Sequence, residues 1–168
     1  TTDERLAFMA EAEVKHARIA MLCAAGWPLA ERWHLGLAST LGLPDALADG
    51  GRAPSVLNGH LGASAGFLAA VFLGAAAAET FTVQRRWRRD DPDGYSPGEL
   101  GFDPLGVYGD DPATRKARRA AELANGRLAM VAVLGYVLLE AGSHQPVASL
   151  TPALFAPPWE TAAALFGG

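Results

Sequence analysis

Two short segments of this chain carry the same kinds of polar group at the same spacing. Glu13-Val-Lys-His16-Ala-Arg18-Ile-Ala20-Met21 and Glu122-Leu-Ala-Asn125-Gly-Arg127-Leu-Ala129-Met130 share the form Glu-x-x-(His or Asn)-x-Arg-x-Ala-Met, and each position of the second lies 109 residues after its counterpart. Each copy supplies a carboxylate, then an imidazole or carboxamide one turn on, then a guanidinium. No HExxH, CxxC or clustered carboxylate array accompanies them, so the groups offer single ligands rather than a metal cage. One ligand is what a hard ion takes when four others are already in place, as they are for magnesium in a chlorin ring.

The elements that must position these groups are three helical runs. The first is expected over about 3–30, without a helix breaker until Gly26 and Pro28; the second over about 63–86, wholly apolar from Gly66 to Ala78; the third over about 112–142, strongly apolar from Leu128 to Leu139. A membrane span needs roughly 20 mostly apolar residues. The third run comes close, and the other two qualify if neighbours or ligands satisfy their polar residues. A soluble three-helix bundle is the alternative, but a stretch such as Leu68 to Ala78 shows no polar face. The expected fold is therefore an all-α membrane domain of three transmembrane helices, the first and third crossed about a pseudo-two-fold axis.

The crossing follows from charge. A lone charge at the bilayer centre costs on the order of 2.5–3.5 kcal/mol, and such charges mark function. Within each copy Glu and Arg are five residues apart, about 140° around the helix, and cannot pair well locally. If the helices cross, Glu13 meets Arg127 and Glu122 meets Arg18 in one symmetric step. Ala17, Ala20, Ala24, Gly126 and Ala129 would permit the close approach. In the competing arrangement, Glu122 pairs with Arg118 or Arg119 on its own helix.

Composition agrees with one small membrane domain. The chain has 168 residues, half of them apolar, a mean hydropathy of +0.12 and a net charge of −4, which gives no reason to expect nucleic acid. Cys23 is the only cysteine, and its Ala and Leu neighbours suggest a small buried hydrophobe. A start at Thr1 without Met is expected of a processed or trimmed product. The basic clusters Arg85-Arg86-Trp87-Arg88-Arg89 and Arg115-Lys116-Ala117-Arg118-Arg119 flank the same loop. The positive-inside rule places that loop and the N-terminus on the insertion side, and the C-terminus opposite. Trp27, Trp33 and Trp87 suit interfacial anchoring. The connection from Glu31 to Gly62 reads as a loop with at most short helices. The connection from Asp90 to Asp111, with its X-Pro pairs, should be extended and turn-rich, and the prolines after Gly142 exclude a further long helix.

At these residues the chain resembles the light-harvesting chlorophyll-protein family. The two repeats are similar to that family's first and third membrane helices, and Gly101-Phe102-Asp103-Pro104-Leu105-Gly106 to the motif before its third helix. The likeness runs in order from about residue 4 to 142. It implies a thylakoid antenna of the chloroplast, not an enzyme, binding chlorophyll a, with chlorophyll c or chlorophyll a alone, xanthophyll carotenoids and possible lipid. Glu13, His16, Glu79, Glu122 and Asn125 would be magnesium ligands, Arg18 and Arg127 would close the ion pairs, and Asp103 would lie at a carotenoid head group. Two positions depart from the family: Leu139, followed by Glu140, stands where a Gln ligand is common, and Val71 stands where helix 2 can carry one. The counterpart of the Gly101 motif before helix 1 would fall outside the chain.

Gly26-Trp27-Pro28-Leu29-Ala30-Glu31-Arg32-Trp33-His34 and Gly51-Arg52-Ala53-Pro54-Ser55-Val56-Leu57-Asn58-Gly59 resemble red-lineage algal antennae, including those on photosystem I. The implied partners are a photosystem core, photosystem I favoured, neighbouring antenna subunits and membrane lipid. His34 is then open to two readings, an additional ligand or a surface histidine capping a loop. The rival functions are a stress-related, energy-dissipating member of the family and, from another class, a transporter or proton relay using Glu13, Glu79 and Glu122.

Overall fold

In a computed structural model, residues 2–55, 58–59, 62, 65–87, 98, 103–109 and 111–151 are described. Among them the chain is helical: α1 (Thr2–Leu41), α2 (Ala65–Trp87), α3 (Pro112–Ser143) and a single turn, α4 (Val147–Leu150). Two compact units can be distinguished, Thr1–Leu22 with Ala65–Val131 and Cys23–Ser64 with Ala132–Gly168. α1 and α3 each contribute a segment to both.

The first unit is organised by small residues. Ala17, Ala20 and Ala129 are its buried apolar positions, while Phe72, Leu73, Phe81, Leu128 and Val131 are more than 60 % exposed. Apolar surface of that extent marks a membrane or a partner. Among the described residues α3 is the one helix long and apolar enough to cross a membrane, and Leu68–Gln84 is a shorter apolar stretch. α3 starts where its sequence directs. Asp111 accepts the Thr114 N–H at 2.9 Å and the Thr114 hydroxyl at 3.0 Å, and Pro112 follows at the first helical position. The Thr114 backbone donor, with its hydroxyl, holds the Asp111 carboxyl below the usual carboxylate range.

The second unit corrects the expected end of the first helix. α1 does not stop near residue 30 but runs to Leu41 through Pro28. Proline removes the donor that would bond the carbonyl four residues back, normally a reason to kink or break a helix. Here that carbonyl is Ala24 O, and it accepts a hydrogen bond from the Tyr136 hydroxyl at 3.4 Å. Trp27 packs edge-on against the Tyr136 ring, with centroids 6.3 Å apart. The helix closes instead at Gly42, where φ is +65° and the Leu43 N–H returns to Ala38 O at 2.9 Å. Cys23 is also corrected: it is exposed, because it lies off the face that buries Ala20 and Pro28. Between Ser143 and Thr151 the only helix is the α4 turn, and the Pro152, Pro157 and Pro158 tail lies outside the described residues.

Candidate functional site

The first unit brings the two repeats together. Arg18 Nε donates to Glu122 Oε1 at 2.7 Å, and Arg127 Nε donates to Glu13 Oε1 at 2.8 Å. Both crossed pairs therefore form, and the local pairing of Glu122 with its own helix does not displace them. At the contact Gly126 is buried, and a Cβ there would collide with Ala17 Cβ and Cα. Only glycine lets the two backbones approach this closely.

The pairs are not equivalent. Arg18 Nη1 also donates to Gly98 O at 2.7 Å, and its side chain is 37 % exposed against 61 % for Arg127. Gly98 has φ +80°, and a Cβ there would stand 2.5 Å from Val14 Cγ1. Thus Arg18 holds a piece of the loop before α3 as well as the carboxylate.

The ligand candidates face outward. His16 Nδ1 lies 2.7 Å from Ala12 O, a carbonyl, so Nδ1 carries a proton and Nε2 is the nitrogen that the neutral, exposed ring would offer to a ligand. Glu13 and Glu122 each use Oε1 on an arginine, and their side chains are about one-third exposed at 36 % and 33 %. Asn125 is exposed on α3. A cavity of about 340 Å³ lies between the helices, lined by Glu13, Val14, Ala17, Lys116, Glu122 and Leu123 among others. Carboxylates already neutralised, with one oxygen left, and an imidazole with its Nδ1 proton held by a carbonyl are a donor set that would fit a magnesium taking a single protein ligand.

Glu79 on α2 has a partner that sequence reasoning missed. Lys15 Nζ lies 2.8 Å from Glu79 Oε1, 2.7 Å from Oε2 and 2.7 Å from Glu11 Oε1. The available signal was negative. No cation lies three or four residues from Glu79 in either direction, so compensation had to come from another helix.

Asp103 is exposed and closes a turn. Its Oδ2 accepts the Tyr108 N–H at 2.7 Å, its Oδ1 the Val107 N–H at 2.9 Å, and its carbonyl the Gly106 N–H at 3.2 Å, with Gly106 at φ +61°. The Tyr108 N–H foremost, then the Val107 and Gly106 donors, hold its carboxyl below the usual range. Arg115 stacks 5.3 Å from the centre of the Tyr108 ring and donates to Gly109 O at 2.8 Å. Gly101 and Phe102 of the same motif lie outside the described residues.

In the second unit His34 Nε2 accepts the Ala46 N–H at 2.9 Å and sits 3.5 Å from Asp45 Oδ1. Of its two readings, the geometry is that of a loop cap. Two carboxylates not expected to organise anything do so here. Glu31 accepts from Trp27 Nε1 at 3.2 Å, Ala53 N at 3.3 Å and Ala148 N at 2.9 Å. Glu140, only 1 % exposed, accepts from Asn58 Nδ2 at 3.1 Å. It follows Leu139 and points inward, where it fastens a loop.

A model of the chlorophyll A-B binding protein family matches residues 1–141. Over 144 residues the chain is 33 % identical to the chloroplastic fucoxanthin-chlorophyll a-c binding protein of Isochrysis galbana, covering 79 % of this chain and 63 % of that protein. It is 33 % identical over 138 residues to light-harvesting complex stress-related protein 3.2 of Chlamydomonas reinhardtii, covering 77 % and 51 %. It is 31 % identical over 175 residues to chlorophyll a-b binding protein 1B-21 of Hordeum vulgare, covering 95 % and 63 %. The chain thus spans between about half and just under two-thirds of the length of these relatives.

Proposed function

The chain belongs to the chlorophyll A-B binding protein family, whose relatives here are pigment binders rather than enzymes, and from that premise we propose that it is a light-harvesting antenna of the thylakoid membrane. In this reading α1, α2 and α3 all span the membrane, α1 and α3 crossing about a pseudo-two-fold axis. The N-terminus is stromal and the C-terminus lumenal. Glu13, His16, Glu79, Glu122 and Asn125 hold chlorophyll magnesium, and His34 serves the loop. Carotenoids lie in the grooves beside the crossed helices, with the Asp103 turn at a head-group end.

The observation that carries the reading is the reciprocal pair of ion pairs, with His16 held in one tautomer beside them. Bound chlorophyll supplies the absorption and transfer of excitation. The chain's residues supply position. Arg18 and Arg127 neutralise the carboxylates and leave one oxygen of each to coordinate, Ala12 O fixes the His16 proton on Nδ1, and Gly126 sets the helix separation. Chlorophyll a with chlorophyll c, or chlorophyll a alone, is proposed from the likeness to the fucoxanthin-chlorophyll a-c binding protein. A photosystem core with neighbouring antenna subunits is the proposed partner. Photosystem I is the favoured core, a choice supported by a local likeness, 52 % identity over 48 residues covering 29 % of this chain and 17 % of photosystem I chlorophyll a/b-binding protein 6 of Arabidopsis thaliana.

Refolding the polypeptide with chlorophylls and carotenoids tests this. The expected product has red and blue absorption bands, and exciting the carotenoid yields chlorophyll a emission. A folded but colourless protein would overturn the antenna reading and favour the transporter or proton relay. A dissipative role is the second reading, motivated by the stress-related relative. A fluorescence lifetime that shortens between neutral and acidic pH would select it.

A further inference from the structure

Every carboxylate read as a ligand in the first unit has a cation, but Glu79 takes its cation differently. Glu13 and Glu122 are each touched on one oxygen by an arginine from the opposite repeat. The α2 carboxylate has both oxygens on the single ammonium of Lys15, at 2.8 and 2.7 Å. Lys15 has three N–H donors, and the third meets Glu11 at 2.7 Å, so all are used. Glu11 is nearly buried at 6 % exposure, so the ammonium is anchored on α1 before it reaches across. On α2 itself, the positions three and four residues from Glu79 are Ala75, Ala76, Thr82 and Val83. None of these can compensate a charge.

We propose that Lys15 is the positioning residue for the α2 ligand: it presents Glu79 as a charge-compensated, fixed carboxylate, so that the chlorophyll carried by α2 depends on a side chain of α1. The inference rests on reading Glu79 as a magnesium ligand. Each Glu79 oxygen spends one lone pair on Lys15 and keeps another, and the side chain is 54 % exposed, leaving it open to a ligand. Without the ammonium, the carboxylate would be an uncompensated charge beside the apolar stretch Leu68–Ala78, which α2 cannot hold in place. A neutral carboxamide at 79 would still offer an oxygen but would need no cation. That difference separates positioning from simple packing.

The experiment compares refolded variants by chlorophyll per polypeptide after extraction, and by a double-mutant cycle on thermal unfolding. Lys15→Met and Glu79→Ala are each expected to lose the same one chlorophyll, Lys15→Arg to keep it, and Lys15→Met with Glu79→Gln to regain it. In the cycle, the combined substitution should shift the midpoint by less than the sum of the single ones. If Glu79→Ala loses one chlorophyll and Lys15→Met loses none, the positioning role is wrong while Glu79 stands as a ligand. If Glu79→Ala loses none, the ligand reading fails and the inference falls with it. Should Lys15→Met not assemble at all, recovery in Lys15→Met/Glu79→Gln supports the proposal. Failure of both would assign Lys15 to Glu11 alone and overturn it.

Discussion

The two units use the same side chain, glutamate, in opposite ways. In the first, Glu13, Glu79 and Glu122 meet cations, remain a third or more exposed, and keep oxygen lone pairs. In the second, Glu31 and Glu140 turn inward and meet neutral N–H groups. Among the described residues no cation touches them. A carboxylate on a cation is neutralised without being used up, so it can still act on a ligand. A carboxylate that meets backbone and side-chain N–H groups instead is a fastener, on both oxygens in Glu31 and on Oε1 alone in Glu140, whose Oε2 is buried without a partner among the described residues. The partner, more than the residue type, decides which.

The largest effect should come from removing the geometry on which the first unit depends. Gly126→Val places a branched side chain where a single Cβ already meets Ala17. Overpacking of this kind costs about 1–3 kcal/mol or more. Refolding yield with pigments should collapse, whereas Gly135→Val, at a position with open space around it, should refold normally. Normal yield from Gly126→Val would show that the close approach is dispensable.

Next come the two arginines. Arg18→Leu should lower pigment yield more than Arg127→Leu, because Arg18 also holds Gly98 O and is the less exposed. Equal losses measured by chlorophyll extraction would mean that the loop contact contributes nothing. In the second unit the prediction concerns neutral isosteres. Glu31→Gln keeps one acceptor oxygen for three N–H groups and sets an NH2 against a donor, a loss of about 1–3 kcal/mol. Glu140→Gln keeps the one acceptor that Asn58 uses and should shift the thermal midpoint little. A larger shift for Glu140→Gln would reverse the assignment of the two fasteners.

The smallest effect concerns Asp103. Its carboxyl is held below its ordinary value of 3.8 by the Tyr108 and Val107 donors. The stabilisation is thus present above that value and lost as pH falls through the lowered one. Amide exchange at Val107 and Tyr108 should show constant protection between about pH 5 and 8 and lose it only in stronger acid. Loss of protection nearer neutrality would show that another group holds the turn.

Much of the first unit was legible because its rule is local and repeated. Arg18 and Arg127 have no glutamate three or four residues away and Glu13 has no such arginine; with the run of alanines and a glycine, these favour the crossed pairing over the local one open to Glu122 through Arg118 or Arg119. Lys15–Glu79 was not legible as a pair, since the two lie 64 residues apart and only the missing local cation hinted at it. The end of α1 differs from its sequence signal because Pro28 is a local cue whose remedy, Tyr136, comes from α3. Glu140 drew notice as a departure beside an expected ligand position, yet its inward direction depends on Asn58 in a distant loop. The sequence leaves His34 with two readings for the same reason, since its partner Ala46 lies beyond the end of the helix.

Pro28 has a consequence for how α1 comes apart. A long helix ordinarily frays from its end, each broken rung exposing the next. At Pro28 one rung is absent by construction, and the leftover carbonyl of Ala24 is tied to Tyr136. Unravelling that begins at Leu41 should therefore halt there instead of running on toward the repeat. The proline works as a firebreak: the outer end of α1 can loosen and reform while Glu13, His16 and Arg18 keep their register.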